Sequence, residues 1–198
     1  METLIFNPAA ERLRILEEVR ALREELARPP RVRLIAFEQA TMLQEMQASS
    51  VLALHRKFFV DCGIEADTMM LPANTEQDVL TDEIVRACAD ESLHGVTILL
   101  PAPETIDMAV AINTIEPAKE IEGMRWDNIS AYLPGSSDKP RLPLIVIDVI
   151  RTVIAAAPAP VGSDAQWVIV VDRPAMKRNL ITKVLAHVGP GQVWPRDA

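Results

Sequence analysis

Apolar residues in the segment 9–27 recur every three or four positions, the spacing of one face of an α-helix. Asn7-Pro8 precedes the segment and Pro29-Pro30 follows it, which is typical of a helix start and a helix end. The pattern predicts an amphipathic first helix. Its predicted apolar face consists of Ile15, Val19, Leu22 and Leu26.

Between residues 32 and 101 the spacing alternates between strand-like and helical. Such alternation predicts a mainly parallel sheet with helices on both faces. The predicted strands are 32–37, 67–71 and 95–101, and the predicted helices are 41–62 and one that opens with a capping box at Asn74 and Thr75. The residues expected to face inward from these helices are Val51, His55, Phe58 and Cys62, then Val79, Ile84, Val85 and Cys88.

A second α/β unit is predicted in the later part of the chain. The Pro/Gly/Ser-rich stretch "APAPVGSD" is typical of a hinge or a domain edge. Between the predicted short helix and Pro143 we expect irregular structure. The predicted elements are helices at 107–115 and 144–157, a strand at 167–171, a helix that ends near His187 and a short strand at 191–194.

Composition narrows the partners and the compartment. The 198 residues are 49% hydrophobic and 24% charged, as in ordinary soluble proteins, and the net charge of −8 argues against nucleic acid or an anionic membrane as partner. Two cysteines, Cys62 and Cys88, are too few for a disulfide framework or a four-cysteine zinc site, so we expect core thiols and a cytoplasmic location. No signal peptide or membrane span is predicted, and His94 and His187 have no second ligand at metal spacing.

The segment 94–132, "HGVTILLPAPETIDMAVAINTIEPAKEIEGMRWDNISAY", resembles the signature region of the bifunctional methylenetetrahydrofolate dehydrogenase/cyclohydrolase family. The most specific feature is the pairing of "LLPAP" with "EPAKEIEGM". The resemblance implies an α/β three-layer sandwich: a folate-type lobe with a mainly parallel sheet at 1–142 and a truncated Rossmann-like lobe at 143–198. It also implies a folate in a cleft between the lobes and a homodimer formed through the second lobe.

Carried over residue by residue, the resemblance reveals departures from the family pattern. The family's tyrosine falls on Val51, its proton-transfer lysine on His55, the glutamine of its Pro-rich turn on Leu99 and its pterin aspartate on Glu122. Leu99 cannot support a catalytic base, whereas Glu122 keeps a carboxylate that accepts two hydrogen bonds from a pterin. The original proton relay is therefore not expected to work, but folate binding is.

The cofactor turn departs further. The family's Pro-Cys-Thr-Pro turn becomes 140–143, and its Gly-Arg-Ser turn becomes Asp172-Arg173-Pro174. Here a carboxylate faces the phosphates and a proline lacks its N–H, so NADP is not expected to bind and we assign no cofactor-binding residue.

Each candidate site residue has a structural alternative. His55 is the candidate general acid or base, since imidazole titrates near neutral pH, or a hydrogen-bonded helix histidine. Glu122 is a pterin anchor, or a loop carboxylate paired with Lys119 or Arg125. Ser49 and Ser50 either contact the substrate or cap a helix. The substrate-binding set is Glu122, Val51, Leu99, Leu100, Pro101 and Ser49, and the extra segment 42–47 lines a pocket, contacts a partner or belongs to the core.

Three functions follow from these expectations. The first is a divergent family member that binds a tetrahydrofolate one-carbon adduct and acts without NADP, by one-carbon transfer or cyclohydrolase-like chemistry. The second is a non-catalytic dimeric protein that binds a protein partner. The third is an active dehydrogenase/cyclohydrolase with a rebuilt site. The sequence alone does not separate them.

Overall fold

A computed structural model describes residues 7–132, 136–145, 149, 152–153, 167–171 and 191–195. The described chain divides into two compact units, Asn7–Ile121 and one that begins at Glu122. The elements of the first unit are α1 (Pro8–Glu24), β1 (Arg31–Phe37), α2 (Met42–Asp61), β2 (Glu65–Leu71), α3 (Gln77–Ala89), β3 (Gly95–Ile98) and α4 (Met108–Thr114). Those of the second are α5 (Trp126–Ser130), β4 (Trp167–Val171) and β5 (Gly191–Pro195).

The sheet of the first unit has the order β2-β1-β3, with β1 paired in parallel to both neighbours. Successive side chains of β1 point to opposite faces. Leu34 packs in a cluster with Leu52 of α2, whereas Ile35 packs in a cluster with Ile84 of α3. Helices therefore cover both faces of the sheet. The predicted α/β class with a parallel sheet and three layers is confirmed for this unit.

The second unit shows one strand pair among its described residues. The parallel pair β4-β5 aligns Trp167 with Gly191 and Val171 with Pro195, so both predicted strands are confirmed. The expected irregular stretch before Pro143 contains α5 instead. The predicted helix that ends near His187 and the turn at 172–174 lie outside the described residues.

Two details of the helix predictions were wrong. The capping box is absent: α3 begins at Gln77 with Glu76 as its N-cap residue, which makes no side-chain cap bond, and the Thr75 hydroxyl donates to the Pro72 carbonyl at 2.7 Å. Val79 and Val85 are 46% and 53% exposed because the inward stripe of α3 consists of other residues at helical spacing. That stripe is Leu80, Ile84 and Ala87.

The apolar face predicted for α1 was also wrong. Leu16 is the buried residue of this helix, while Ile15, Leu22 and Leu26 are exposed. Arginine side chains instead attach α1 to the end of α2. Arg20 Nε donates to the Asp61 carbonyl at 2.6 Å and Arg23 Nε donates to the Gly63 carbonyl at 3.1 Å, where the partial negative charge of a helix C-terminus favours cations.

Of the two cysteines, Cys62 is fully buried, as predicted, and Cys88 is half-buried. Burial raises the pKa of the Cys62 thiol, which keeps it protonated and unreactive.

Candidate functional site

The carboxyl ends of β1 and β3 form a topological switch point. The chain leaves β1 toward α2, which packs on the sheet face that contains Leu34. The chain leaves β3 toward α4, whose Ala111 packs on the opposite face with Ile84. Neighbouring parallel strands whose connections part to opposite faces leave a crevice beyond their carboxyl ends, and ligands of open α/β sheets bind there.

The turn after β3 supplies three of the predicted site residues. Leu99 extends the strand pairing, since its N–H donates to the Ile35 carbonyl at 2.8 Å, and its side chain is 5% exposed. Leu100 is 48% exposed, and the Leu100–Pro101 peptide bond is cis. Leu99 shares an apolar cluster with Leu52 of α2, so the turn and α2 lie together at this edge.

His55 lies one helical turn after Val51 on α2, and both are half-buried. Its Nδ1 lies 2.8 Å from the Val51 carbonyl oxygen. A carbonyl oxygen only accepts, so Nδ1 carries the proton and donates. The neutral imidazole then keeps its lone pair on Nε2, which is the arrangement a general base requires. The predicted hydrogen-bonded histidine and the predicted base are therefore compatible.

Ser49 is exposed on α2, and its hydroxyl donates to Glu45 Oε1 at 3.1 Å. The alternative of an N-cap role for Ser49 is wrong, since α2 begins at Met42 and Thr41 caps it by accepting from the Gln44 N–H. Ser50 likewise lies inside the helix.

The segment 42–47 forms the first turns of α2. Met42 is 83% exposed and Leu43 and Met46 are also largely exposed, so the alternative of plain core residues is wrong. A pocket or a partner surface remains for this segment.

The amide of Gln39 joins the two sides of the switch point, and the sequence patterns did not identify it. Its Nε2 donates to the Phe37 carbonyl at 2.7 Å and to the Pro101 carbonyl at 3.2 Å. Its backbone N–H donates to Glu45 Oε2 at 3.2 Å. The signal available in the sequence was its position directly after the central strand.

Glu122 is half-buried and opens the second unit, followed by Gly123 at φ +71°. Of the two cations predicted as its alternative partners, Lys119 donates to the carbonyls of Cys88 and Asp90 at 2.6 and 2.7 Å. Arg125 forms an ion pair with Asp127 at 2.9 Å. Glu122 stays a predicted anchor.

No cluster of three or more His, Cys, Asp or Glu residues with metal-binding geometry occurs in the described ranges. In the same part of the chain, no helix combines the length and the apolar character needed to cross a membrane. The predicted loss of the cofactor loop at Asp172-Arg173-Pro174 concerns residues outside those described.

The fold and the switch point define a doubly wound α/β protein with a ligand crevice at the carboxyl edge of its sheet. Residues 7–122 match the family model described as "Tetrahydrofolate dehydrogenase/cyclohydrolase, catalytic domain". The chain belongs to this family, and the resemblance seen in the segment 94–132 is confirmed.

Curated relatives agree over part of the chain. The bifunctional protein FolD of Ehrlichia canis (strain Jake) is 36% identical over 73 residues, which are 37% of this chain and 24% of that protein. The bifunctional protein FolD of Exiguobacterium sibiricum is 31% identical over 124 residues, which are 63% of this chain and 43% of that protein. The matched segments thus span about a quarter to two fifths of these relatives.

Solved structures of similar fold cover the chain more fully. The methylenetetrahydrofolate dehydrogenase-cyclohydrolase (FolD) of Trypanosoma brucei, complexed with NADP cofactor and inhibitor, has a TM-score of 0.79 at 18% identity and covers 98% of this chain and 65% of its own. FolD from Campylobacter jejuni has a TM-score of 0.72 at 21% identity and covers 96% of this chain and 65% of its own. At these identities the likeness demonstrates the fold.

Proposed function

We propose that this chain is a divergent family member that binds a tetrahydrofolate one-carbon adduct and acts on it without NADP. The reaction is one-carbon transfer or cyclohydrolase-like hydrolysis. Membership of the family supports the folate-type ligand. The switch point between β1 and β3 supports the location of the ligand at the carboxyl edge of the first unit's sheet.

The hydrogen bond between His55 and Val51 carries the chemical part of the proposal. With Nδ1–H held by the carbonyl, Nε2 accepts a proton from water, and the water oxygen bonds to the methenyl carbon of a 5,10-methenyl adduct. The carbon–N5 bond then breaks and 10-formyltetrahydrofolate forms, with one proton released to solvent. This hydrolysis is redox-neutral, so it requires no dinucleotide.

The other candidate residues receive binding roles in this proposal. Glu122 accepts hydrogen bonds from the amino-pyrimidine edge of the pterin. The apolar set Val51, Leu99, Leu100 and Pro101 contacts the ring, and Ser49 lies where a polar substituent is expected. We also propose the division into a folate-type lobe at 1–142 and a truncated Rossmann-like lobe at 143–198.

The proposal includes a cytoplasmic homodimer. The cytoplasm is supported by Cys62 and Cys88, which are free thiols. The dimer is supported by the short strand pair β4-β5, since open strand edges favour pairing with a second chain. Sedimentation equilibrium of the 21.9 kDa chain distinguishes a dimer from a monomer.

A second function is favoured by the exposure of Met42, Leu43 and Met46 on α2. Contiguous exposed apolar side chains are typical of protein-binding surfaces. In this alternative the chain folds and dimerises but has no turnover, and it acts by binding a protein partner.

Calorimetric titration separates the two functions. We expect 5,10-methylenetetrahydrofolate to bind in the micromolar range and NADP to bind with a Kd weaker than about 1 mM, equivalent to about 4 kcal/mol. Binding of neither ligand would favour the partner-binding function, and micromolar binding of NADP would favour an active dehydrogenase. Hydrolysis of 5,10-methenyltetrahydrofolate, followed by the loss of its absorbance, then tests the reaction.

A further inference from the structure

The orientation of the Gln39 amide is determined by its two carbonyl partners. The oxygens of Phe37 and Pro101 only accept hydrogen bonds, so the nitrogen of the amide, not its oxygen, must face them. Both hydrogens of Nε2 have partners in this arrangement. The amide oxygen Oε1 is therefore directed away from these two carbonyls.

The backbone of Gln39 is held as well. Its N–H donates to Glu45 Oε2, and Glu45 Oε1 accepts from the Ser49 hydroxyl. Backbone and side chain are thus fixed by separate partners on α2, on β1 and in the turn after β3. A ligand that used Oε1 would bind an acceptor already in place, without the entropy cost of ordering a free side chain.

Oε1 of Gln39 accepts no hydrogen bond from the part of the chain that the structure describes. The residue is half-buried, and the neighbouring Leu99 and Leu100 side chains carry no polar group. A half-buried acceptor beside an apolar turn gains most from a ligand that brings its own N–H donor, because a ligand without one removes water from the oxygen and leaves it unpaired.

We propose that Gln39 is a specificity-determining residue whose Oε1 accepts a hydrogen bond from N8–H of a reduced pterin. This inference rests on the proposed folate-binding function. A tetrahydropterin carries a hydrogen on N8, and a 5,10 one-carbon bridge leaves it in place. A fully oxidised pterin has only a lone pair there, which repels the lone pairs of Oε1. The amide thus selects reduced folates over folic acid.

The test compares two ligands across matched variants. Kd values for tetrahydrofolate, kept anaerobic, and for folic acid are measured by calorimetry on the full chain and on Gln39→Met, which has similar volume but no polar group. The matched control is Gln47→Met, an exposed glutamine on the same helix. We expect Gln39→Met to weaken tetrahydrofolate about tenfold and folic acid less than twofold, and Gln47→Met to change neither.

Two further measurements keep the inference testable if Gln39→Met fails to fold. Gln39→Glu retains an acceptor but loses both N–H donors, so it should keep the preference for the reduced ligand while its melting temperature falls. On the wild-type chain, the 8-deaza analogue of tetrahydrofolate, in which a CH₂ group replaces N8–H, should bind about tenfold more weakly than tetrahydrofolate itself.

The outcomes separate this inference from the function on which it rests. Equal weakening of both ligands in Gln39→Met, or equal affinity for tetrahydrofolate and its 8-deaza analogue, would leave Gln39 as a loop brace and refute the specificity role alone. A wild-type chain that binds neither folate would refute the proposed function together with this inference.

Discussion

Asn128 donates a hydrogen bond from Nδ2 to the carbonyl of Gly123 at 3.0 Å, one residue after the predicted pterin anchor Glu122. The same nitrogen donates to the Leu142 carbonyl at 2.9 Å, and Oδ1 accepts from the N–H groups of Arg141 and Leu142 at 2.7 and 2.9 Å. The side chain is 3% exposed, and all four of its hydrogen-bonding positions are used. One buried amide thus joins the start of the second unit to the turn at 140–143.

Replacing this amide should destabilise the second unit. Asn128→Ala leaves four backbone groups without their partner, and a buried group left unsatisfied costs about 1–3 kcal/mol. We expect a loss of at least about 3 kcal/mol in the free energy of unfolding, measured by urea denaturation. The exposed Asn74→Ala is the matched control and should change stability by less than about 0.5 kcal/mol. Equal effects of the two variants would show that the network contributes little.

Gly123 should tolerate no side chain. Its φ of +71° lies in the left-handed region, and a Cβ would lie 2.5 Å from the Pro143 carbonyl oxygen. Gly123→Ala is therefore expected to lower the melting temperature strongly. Gly63→Ala is an informative comparison, because φ is +69° there too but the nearest atom to a Cβ is the flexible Arg23 side chain at 3.3 Å. We expect a smaller loss at Gly63, and equal losses would contradict the role assigned to the Pro143 contact.

The carboxylate of Asp61 gives stability a predictable pH dependence. Hydrogen bonds from Lys57 and from Arg12, whose guanidinium lies 2.8 Å away on α1, lower the pKa of Asp61. A carboxyl group whose folded pKa is lowered contributes stability above its unfolded pKa of about 3.9, and this contribution disappears as the pH falls through the folded value. Below about pH 4, α1 should therefore detach more readily.

Thermal melts between pH 7 and pH 3 measure this effect. Asp61→Asn should melt below wild type at pH 7, and the difference should shrink toward pH 3. Asp82→Asn, which removes an exposed carboxylate without an ion pair among the described residues, is the control and should follow wild type throughout. A constant difference between Asp61→Asn and wild type across this range would exclude the linkage.

The sequence predicted the alternation of strands and helices well, because burial on both sheet faces imposes distinct spacings on 31–37 and 77–89. It failed where a helix is held by polar contacts: α1 packs through Leu16 and through arginines, which an apolar stripe does not reveal. Gln39 and Asn128 were missed for a related reason. Each acts through hydrogen bonds to segments distant in sequence, and neither follows a periodic pattern.

Glu122 is expected to affect ligand binding more than stability. A carboxylate that anchors a pterin makes charge-assisted hydrogen bonds worth roughly 1.5–3 kcal/mol each. Glu122→Gln keeps the size of the side chain and removes its charge, so the affinity for 5,10-methylenetetrahydrofolate should fall about tenfold or more while the melting temperature stays nearly unchanged. Calorimetry and thermal melts on the same preparations provide both values.

The control for this variant is Glu116→Gln, an exposed glutamate in the same loop. It removes the same charge from the chain without touching the predicted anchor. If both variants weaken the folate equally, the effect is one of net charge. If Glu122→Gln lowers only the melting temperature, Glu122 is a structural loop carboxylate.

His55 should behave in the opposite way, because a proton-transfer residue contributes little to ground-state binding. With Nδ1–H held by the Val51 carbonyl, Nε2 is the reactive nitrogen, so His55→Ala should spare folate affinity and abolish turnover. Wild-type turnover should fall as the imidazole is protonated. The control is His94→Ala: His94 directly precedes β3 at the amino edge of the sheet, where its Nδ1 accepts from the Arg31 N–H at 3.1 Å. This variant should keep full turnover. Unchanged turnover in His55→Ala, with a lower melting temperature, would make His55 a structural helix residue and favour the partner-binding function.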